Sequence, residues 1–450
     1  IETKRIKRKN SYIVGDEMES RQIILAGIGM GSGDVITEEV RQLIEEADCL
    51  IGAERMLTCA QQIRNMNGLS MRQCERNNRN EGVFIKEYRT EEIISYIKEH
   101  KEHSKIGILL SGDTGFYSGA KKLKEQLAEV CSDQIEIYPG ISSLSYLASK
   151  VGVSWEDAKI LSLHGKDMNF VQTIHRHPKT FLLLGGKNTG RYFYETLSEY
   201  DLGNVQVHIG HQMSYEEEKI LSGKLCEMKA EDFEGLCAVL VENPEYCKDA
   251  GMHLQDDVFI RGKVPMTKSE VRSTSVAELH LTEDAVVYDI GAGTGSVSVE
   301  IARAGEQIKV YAIEKNQEGV ELIDQNRRKF RTDGIQIVSG LAPQAMGELE
   351  APTHAFIGGS SGNLREIVQS LQAKNPSVRI VINAISLETV SEVMGLVGEG
   401  LLPDAEILQV SAARSKILGR YHMMMGQNPV YIISAGGNTQ TGESSENEKE

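Results

Sequence analysis

Short apolar runs that stop at glycines recur along this 450-residue chain, and they restrict it to an α/β fold. Gln22-Ile-Ile-Leu-Ala26 runs into Gly27-Ile-Gly-Met-Gly-Ser-Gly33. Lys105–Leu110 ends in Ser111-Gly-Asp-Thr-Gly-Phe-Tyr117, and Ile135–Tyr138 in Pro139-Gly-Ile-Ser-Ser143. Ile160–Leu163 ends in His164-Gly165, and Thr180–Leu184 in Gly185-Gly186. A short apolar run bounded by such turns reads as a buried strand. Helical patterns lie between the runs, at Glu38–Ala47 (with Thr37 as N-cap) and Glu91–His100. Alternation of this kind builds a mostly parallel sheet. Its ligands sit outside the carboxyl ends of the strands, where the glycines fall.

The same grammar returns later in the chain. Ala285-Val-Val-Tyr288 leads into Asp289-Ile-Gly-Ala-Gly-Thr-Gly-Ser296 and a helical stretch. A turn of this kind brings backbone close to a ligand and presents helix N-terminal N–H groups to it. Glu314 closes the next run, Ile308–Ile313, where an acid can grip a ribose diol. A dinucleotide fingerprint wants Gly or Ala where Ser296 stands. A nucleoside cofactor is therefore expected, with a bare structural turn as the alternative. Further strands are expected near 285–289, 308–313, 335–338, 354–357 and 378–382, then two antiparallel runs at 406–411 and 430–434. Before them, Val205–Ile209 and Leu236–Val241 predict a second sheet or subdomain. Pro265 opens a helix, with Thr267 and Glu270 at capping-box spacing. Residues 1–20 and 436–450 read as disordered tails and 246–262 as a linker. Two domains result, 21–245 and 263–435.

Composition excludes several classes. A net charge of −16 disfavours nucleic acid as a partner. The seven cysteines are scattered with no C-x-x-C pair, as for reduced thiols of a cytoplasmic protein. No apolar run approaches the roughly 18–20 residues of a membrane span. The basic N-terminus lacks the apolar stretch of a secretory signal. His175 with His177, and His208 with His211, lack the further ligands a metal site needs, so no metal is expected. Trp155 reads as core.

Taken in order, Gly27-Ile-Gly-Met-Gly31, Ser111–Tyr117 and Pro139–Ser143 resemble the motifs of tetrapyrrole (precorrin) methylases, and Ser162-Leu-His-Gly165 resembles the branch acting on C-5. Val264–Arg272, Asp289–Ser296, Phe356–Ser360 and Asn383–Glu388 resemble the decarboxylating C-15 methyltransferases. In this order the halves resemble the fused C5,15-methyltransferases of cobalamin biosynthesis. The chain departs from the pattern at Met30 and Thr114, where the first family has proline. It departs again at Thr353 and His354, where the second tends to carry an acid.

The resemblance implies a tetrapyrrole-methylase fold of two α/β subdomains, followed by a Rossmann-like, seven-stranded methyltransferase domain. It implies two S-adenosylmethionine (SAM) sites, a precorrin-6B or cobalt-precorrin-6B type substrate, loss of carbon dioxide from a ring acetate, a precorrin-8 type product, and a homo-oligomer. The first site would use Gly29, Met30, Gly31, Gly112, Asp113 and Thr114, with hydroxyls from Ser142 and Ser143. In the second, Gly291, Gly293 and Gly295 would shape the loop, Asp289 would orient the loop or the amino end of SAM, and Glu314 would hold the ribose. Leu341 and Ala342 would flank the adenine, and Gly358 and Gly359 would admit substrate. A carboxylate-rich macrocycle calls for cations, and Arg261, Lys263, Lys268, Arg272 and Arg414, with Lys416 and Arg420, are the candidates. A solvated helix face and hairpin is the plainer account of each one singly. Asn383, His354 and His164 are candidate catalytic groups. A nicotinamide-dependent oxidoreductase and a non-catalytic tetrapyrrole carrier are the competing readings.

Overall fold

A computed structural model describes residues 21–66, 83–163, 169–185, 189–249, 251 and 253–437. The expected tails apart from Gly436 and Gly437, with His164, Gly165, Gly186 and all of residues 67–82, lie outside the described residues.

The first sheet holds β1 (Gln22–Gly27), β2 (Cys49–Gly52), β3 (Val83–Lys86), β4 (Lys105–Leu110) and β5 (Gln134–Tyr138), in the order β3-β2-β4-β1-β5. Its pairings are all parallel. β1 shows why a parallel strand reads as a continuous apolar run. Ile24 and Ala26 enter one core, Ile23 and Leu25 the other, so neither face meets water. The helix Glu38–Glu46 covers one face with Val40, Leu43 and Ile44, at spacings of three and four. Thr37 caps it as expected, its Oγ1 accepting from Val40 N at 3.4 Å. Such a cap contributes about 1 kcal/mol.

A second five-stranded sheet runs β6 (Ala158–Ser162), β7 (Lys179–Leu184), β10 (Cys237–Glu242), β8 (Gln206–His211), β9 (Lys219–Lys224). The third holds β11 (Val286–Ile290), β12 (Lys309–Glu314), β13 (Ile335–Ser339), β14 (His354–Ile357), β15 (Arg379–Ala384), β16 (Glu406–Val410) and β19 (Val430–Ala435). Its order is β13-β12-β11-β14-β15-β19-β16, parallel except at β19, which is antiparallel to both neighbours. The chain moves outward from β11 to β13, then returns to start β14 on the other side of β11. That reversal opens a crevice at the carboxyl ends of β11 and β14. β11 is buried on both faces. Val286, Tyr288 and Ile290 enter one core and Val287 the other.

Several details differ from the sequence expectation, which also named no strand at β3 or β9. The helix expected from Pro265 starts at Ser269, behind Lys268, which makes no side-chain cap. The expected capping box does not form, and the Thr267 carbonyl accepts from Arg272 instead. Between β16 and β19 the chain adds a hairpin, β17 (Ala413–Leu418) and β18 (Tyr421–Gly426), exposed along both strands. Trp155, read as core, is 43% exposed.

The described residues form two compact units. One runs to Glu156 and includes His208–Leu221 and Leu236–Leu240; the other holds Asp157–Val207, Ser222–Gly235 and the chain from Val241. Within the second unit the Asp333 carboxylate accepts from Val171 N at 2.9 Å and Gln172 N at 3.0 Å, at the start of helix Phe170–Arg176. Arg327 donates to Tyr200 Oη at 2.8 Å, and Arg331 to the Tyr200 and Asp201 carbonyls at 3.2 and 3.1 Å.

Candidate functional site

The crevice at the ends of β11 and β14 is a cavity of about 800 Å³. That lies within the roughly 300–1,000 Å³ of small-molecule sites. Gly291 and Gly359 meet at its floor. Gly291 N donates to Ile313 O at 3.0 Å, and Gly358 N to Ile290 O at 2.9 Å, so the turns continue the ladders beyond the strands. Gly291 has φ +72°, and a Cβ there would stand 2.7 Å from Gly359 O and 2.9 Å from Gly359 N. Both conformation and space therefore demand glycine. Gly293 and Gly295 also have left-handed φ, +58° and +74°. Helix Ser296–Ala304 starts at the end of this loop.

Two carboxylates sit at this rim. Glu314 ends β12; its Oε2 accepts from Gly293 N and its Oε1 from Asn316 N, both at 2.8 Å. Asp289 is fully buried and lines the cavity. Ser298 Oγ donates to its Oδ2, while Oδ1 has no hydrogen-bond partner among the described residues. Burial pushes its carboxyl up to about 7, against the Ser298 hydrogen bonds and with a smaller push from the Glu314 charge. An unpaired, buried carboxylate oxygen at a glycine loop suits a cation. The ammonium group of SAM is one, and Glu314 stands one strand over for a diol. The donor set fits that cofactor. Leu341 and Ala342 line the cavity, as do Gly358 and Gly359.

The candidate cations divide. Lys263 and Lys268 line this cavity. Arg261, Lys268 and Arg414 line a second cavity of about 460 Å³, which shares Lys268 and Gln427 with the first. Arg414 Nε pairs with Glu270 at 2.5 Å, and Lys268 with Asp256 at 3.7 Å. Arg272 does not join them; it is fully buried. It donates to Glu300 at 2.6 Å, Asp256 at 3.2 Å, Thr267 O at 2.7 Å and Leu254 O at 2.5 Å, over the Phe259 ring. The expectation of a substrate cation fails there because the helix turns that side chain inward. Lys416 and Arg420 lie on the exposed hairpin.

Among the candidate catalytic groups, Asn383 lines the cavity, its Oδ1 accepting from the buried Ser275 Oγ at 3.0 Å. His354 does not line it. It opens β14 at the amino end, opposite the crevice, bonded to Thr353 Oγ1 at 2.7 Å, and burial holds its ring below the usual range. That position removes it as a proton donor. Sequence reasoning missed Lys315, Asn316, Gln427 and Asn428, which also line the cavity. Asn316 could have been suspected beside Glu314. Gln427 and Asn428 carried no signal, since the return of the hairpin brings them there.

In the first unit three glycine turns converge. Gly29 N donates to Gly112 O at 3.1 Å and Gly112 N to Gly29 O at 2.6 Å. A Cβ on Gly27 would lie 2.7 Å from Gly112 O and 2.8 Å from Gly140 N. Asp113 staples the second turn to the third, accepting from Gly115 N at 2.9 Å and Gly140 N at 3.0 Å. Thr114 Oγ1 donates to Tyr138 O at 3.3 Å, and Met30 Cε lies 3.8 Å from the Cβ position of Gly112. Ser142, expected to offer its hydroxyl to a ligand, caps helix Ser143–Val151 by accepting from Ser145 N at 3.1 Å.

Residues 22–229 match the tetrapyrrole (corrin/porphyrin) methylases, and residues 257–435 the precorrin methyltransferase domain. The probable cobalt-precorrin-6B C(15)-methyltransferase (decarboxylating) of Pyrobaculum calidifontis is 39% identical over 186 residues, 40% of this chain and 94% of the relative. The precorrin-6Y C(5,15)-methyltransferase (decarboxylating) of a Sinorhizobium species is 27% identical over 375 residues, 81% of this chain and 85% of the relative. A solved precorrin-6Y C5,15-methyltransferase from Geobacter metallireducens is 34% identical, covering 41% of this chain and 97% of its own, with a TM-score of 0.39.

Proposed function

The chain belongs to the decarboxylating precorrin methyltransferases, and we propose that it carries two SAM-dependent C-methylations of a corrin precursor, at C-5 and C-15, with loss of carbon dioxide at the second. The supporting observation is the β11–β14 crevice. It sets the unpaired buried carboxylate of Asp289 and the acid Glu314 on adjacent strand ends, beside a cavity rimmed by Arg261, Lys268 and Arg414.

SAM supplies an electrophilic methyl group on sulfonium. The protein's part is to hold it in line with an electron-rich ring carbon, and positioning of this kind can supply most of a rate enhancement. Asp289 would pair with the cofactor's ammonium, and Glu314 would accept from its ribose hydroxyls. Leu341 and Ala342 would pack on the adenine. Gly358 and Gly359 offer no side chain, so a macrocycle edge can approach. Arg261, Lys268 and Arg414 would hold its peripheral carboxylates. Loss of carbon dioxide leaves an electron pair on the acetate carbon, and the conjugated ring accepts it before that carbon is protonated. Asn383, which lines the cavity, would orient the reacting edge.

In the first unit, the turns at Gly29–Gly31 and Gly112–Thr114 would cradle the second cofactor. We place the protein in the cytoplasm on the strength of its described cysteines, all free thiols. Among the described residues no helix is long and apolar enough to cross a membrane. Self-association is supported by the exposed Ile417, Leu418, Tyr421 and Met423–Met425 of the hairpin.

Mass spectrometry of a precorrin-6B type substrate incubated with SAM tests the reading. Two added methyl groups and the loss of one carbon dioxide are expected. A substrate returned unmethylated by the intact chain would refute it.

A further inference from the structure

We infer that Tyr215 is a cofactor-contact residue of the first unit's site, held against it by a strained and anchored turn; the inference rests on reading that site as a SAM site. After β8 the chain turns through Gln212 and Ser214, which have φ of +42° and +72°. Non-glycine residues keep such conformations where their surroundings over-determine them, and they cluster at active sites, ligand clamps and switch regions. Here the surroundings are in place. The Glu218 carboxylate accepts from Ser214 N at 2.7 Å, Tyr146 Oη at 2.6 Å and Lys150 Nζ at 2.8 Å. The donors Tyr146 and Lys150 lie on the helix that follows the third glycine turn. Tyr215 N donates to Gln212 O at 3.0 Å, and Glu218 N to Tyr215 O at 3.0 Å, which closes the turn on itself.

The anchored turn drives the Tyr215 phenol into the first glycine turn. A Cβ on Gly31 would lie 2.1 Å from Tyr215 Oη and 2.9 Å from Cζ. Gly31, at φ +112°, is thus fitted to this tyrosine. The Arg55 guanidinium stands 5.8 Å from the ring centroid, and its Nη2 donates to Ser111 Oγ at 2.7 Å, directly before the second glycine turn. Tyr215 therefore sits against the first of the two turns expected to cradle the cofactor, and Arg55 links its ring to the residue before the second. Its hydroxyl is buried without a hydrogen-bond partner among the described residues. A phenylalanine would pack the same space without that penalty, so the hydroxyl needs a partner that arrives with a ligand. Burial keeps the phenol protonated. The phenol keeps its proton to donate, and the bond it completes is made to a polar atom of the adenosyl cofactor.

The test is Tyr215→Phe in the full chain, titrated calorimetrically with S-adenosylhomocysteine. A Gly293→Arg chain, which closes the β11 loop, assigns the two binding events. One neutral hydrogen bond is worth roughly fivefold to tenfold in affinity. Tyr215→Phe should weaken the event that survives in Gly293→Arg by about that factor, leave the other unchanged, and melt no earlier than the parent. A surviving event within twofold of the parent overturns the assignment of Tyr215 alone. A Gly293→Arg chain that binds no cofactor overturns the first unit's site itself, and Tyr215 with it.

Discussion

Arg272→Met separates a substrate cation from a structural one. In the structure the guanidinium is enclosed and its donors are spent on Glu300, Asp256 and the carbonyls of Thr267 and Leu254. Glu300 is itself buried, and its other neighbour is Leu254 N, at 3.1 Å from the same Oε1. Truncation to Met fills most of the volume but strands the Glu300 carboxylate in apolar surroundings. Breaking a buried pair in this way costs about 3–5 kcal/mol. With an m-value of roughly 2 kcal/mol/M, the urea midpoint should fall by about 1.5–2.5 M. Adding Glu300→Gln removes the stranded charge, so the double variant should be more stable than Arg272→Met alone. Urea unfolding followed by circular dichroism measures both. A midpoint shifted by less than about 0.5 M, together with a markedly raised substrate KM, would refute the reasoning and return Arg272 to the substrate.

Gly291→Ala forces a Cβ to within 2.7 Å of Gly359 O at a φ of +72°, so calorimetry should find the second unit's SAM event lost or weakened at least tenfold, while the first unit's event persists. Asp289 has a folded-state pKa raised to about 7 from an ordinary 3.8, so burial costs stability progressively as pH rises between those values and fully above them. Asp289→Asn should therefore melt higher than the parent at pH 8 and no higher near pH 4; parallel melting curves across that window would contradict the burial argument. The same variant should bind SAM more weakly, having lost the ammonium's partner. Asp333→Ala leaves Val171 N and Gln172 N without their acceptor, at a cost of about 1–3 kcal/mol per unsatisfied group. Limited proteolysis should then cut within residues 157–207 sooner than in the parent, and an unchanged cleavage rate would show that this contact is not stabilising.

Strands and their turns were legible in the sequence because their causes are local. An apolar run buried on both faces and a glycine at its end are both written in consecutive residues, as β1 with Gly29 and β11 with Gly291 show. Glu314 was legible for the same reason, since it closes a strand parallel to β11 and one residue beyond the paired Ile313. Facing and distance were not. Lys268 and Arg272 lie one helical turn apart, yet one lines the cavity and the other is entombed, because the packing of helix Ser269–Glu278 on helix Ser296–Ala304, β15 and β19 decides which face turns inward. His354 and Gly358 bound the same strand, but the parallel register puts only the second at the crevice. Tyr215 stands 184 positions from Gly31, and nothing in its own neighbourhood marks it. Backbone preference and burial pattern act over a few residues and can be read along the chain; the meeting of unpaired polar atoms depends on how separate elements pack, and only the folded chain carries that.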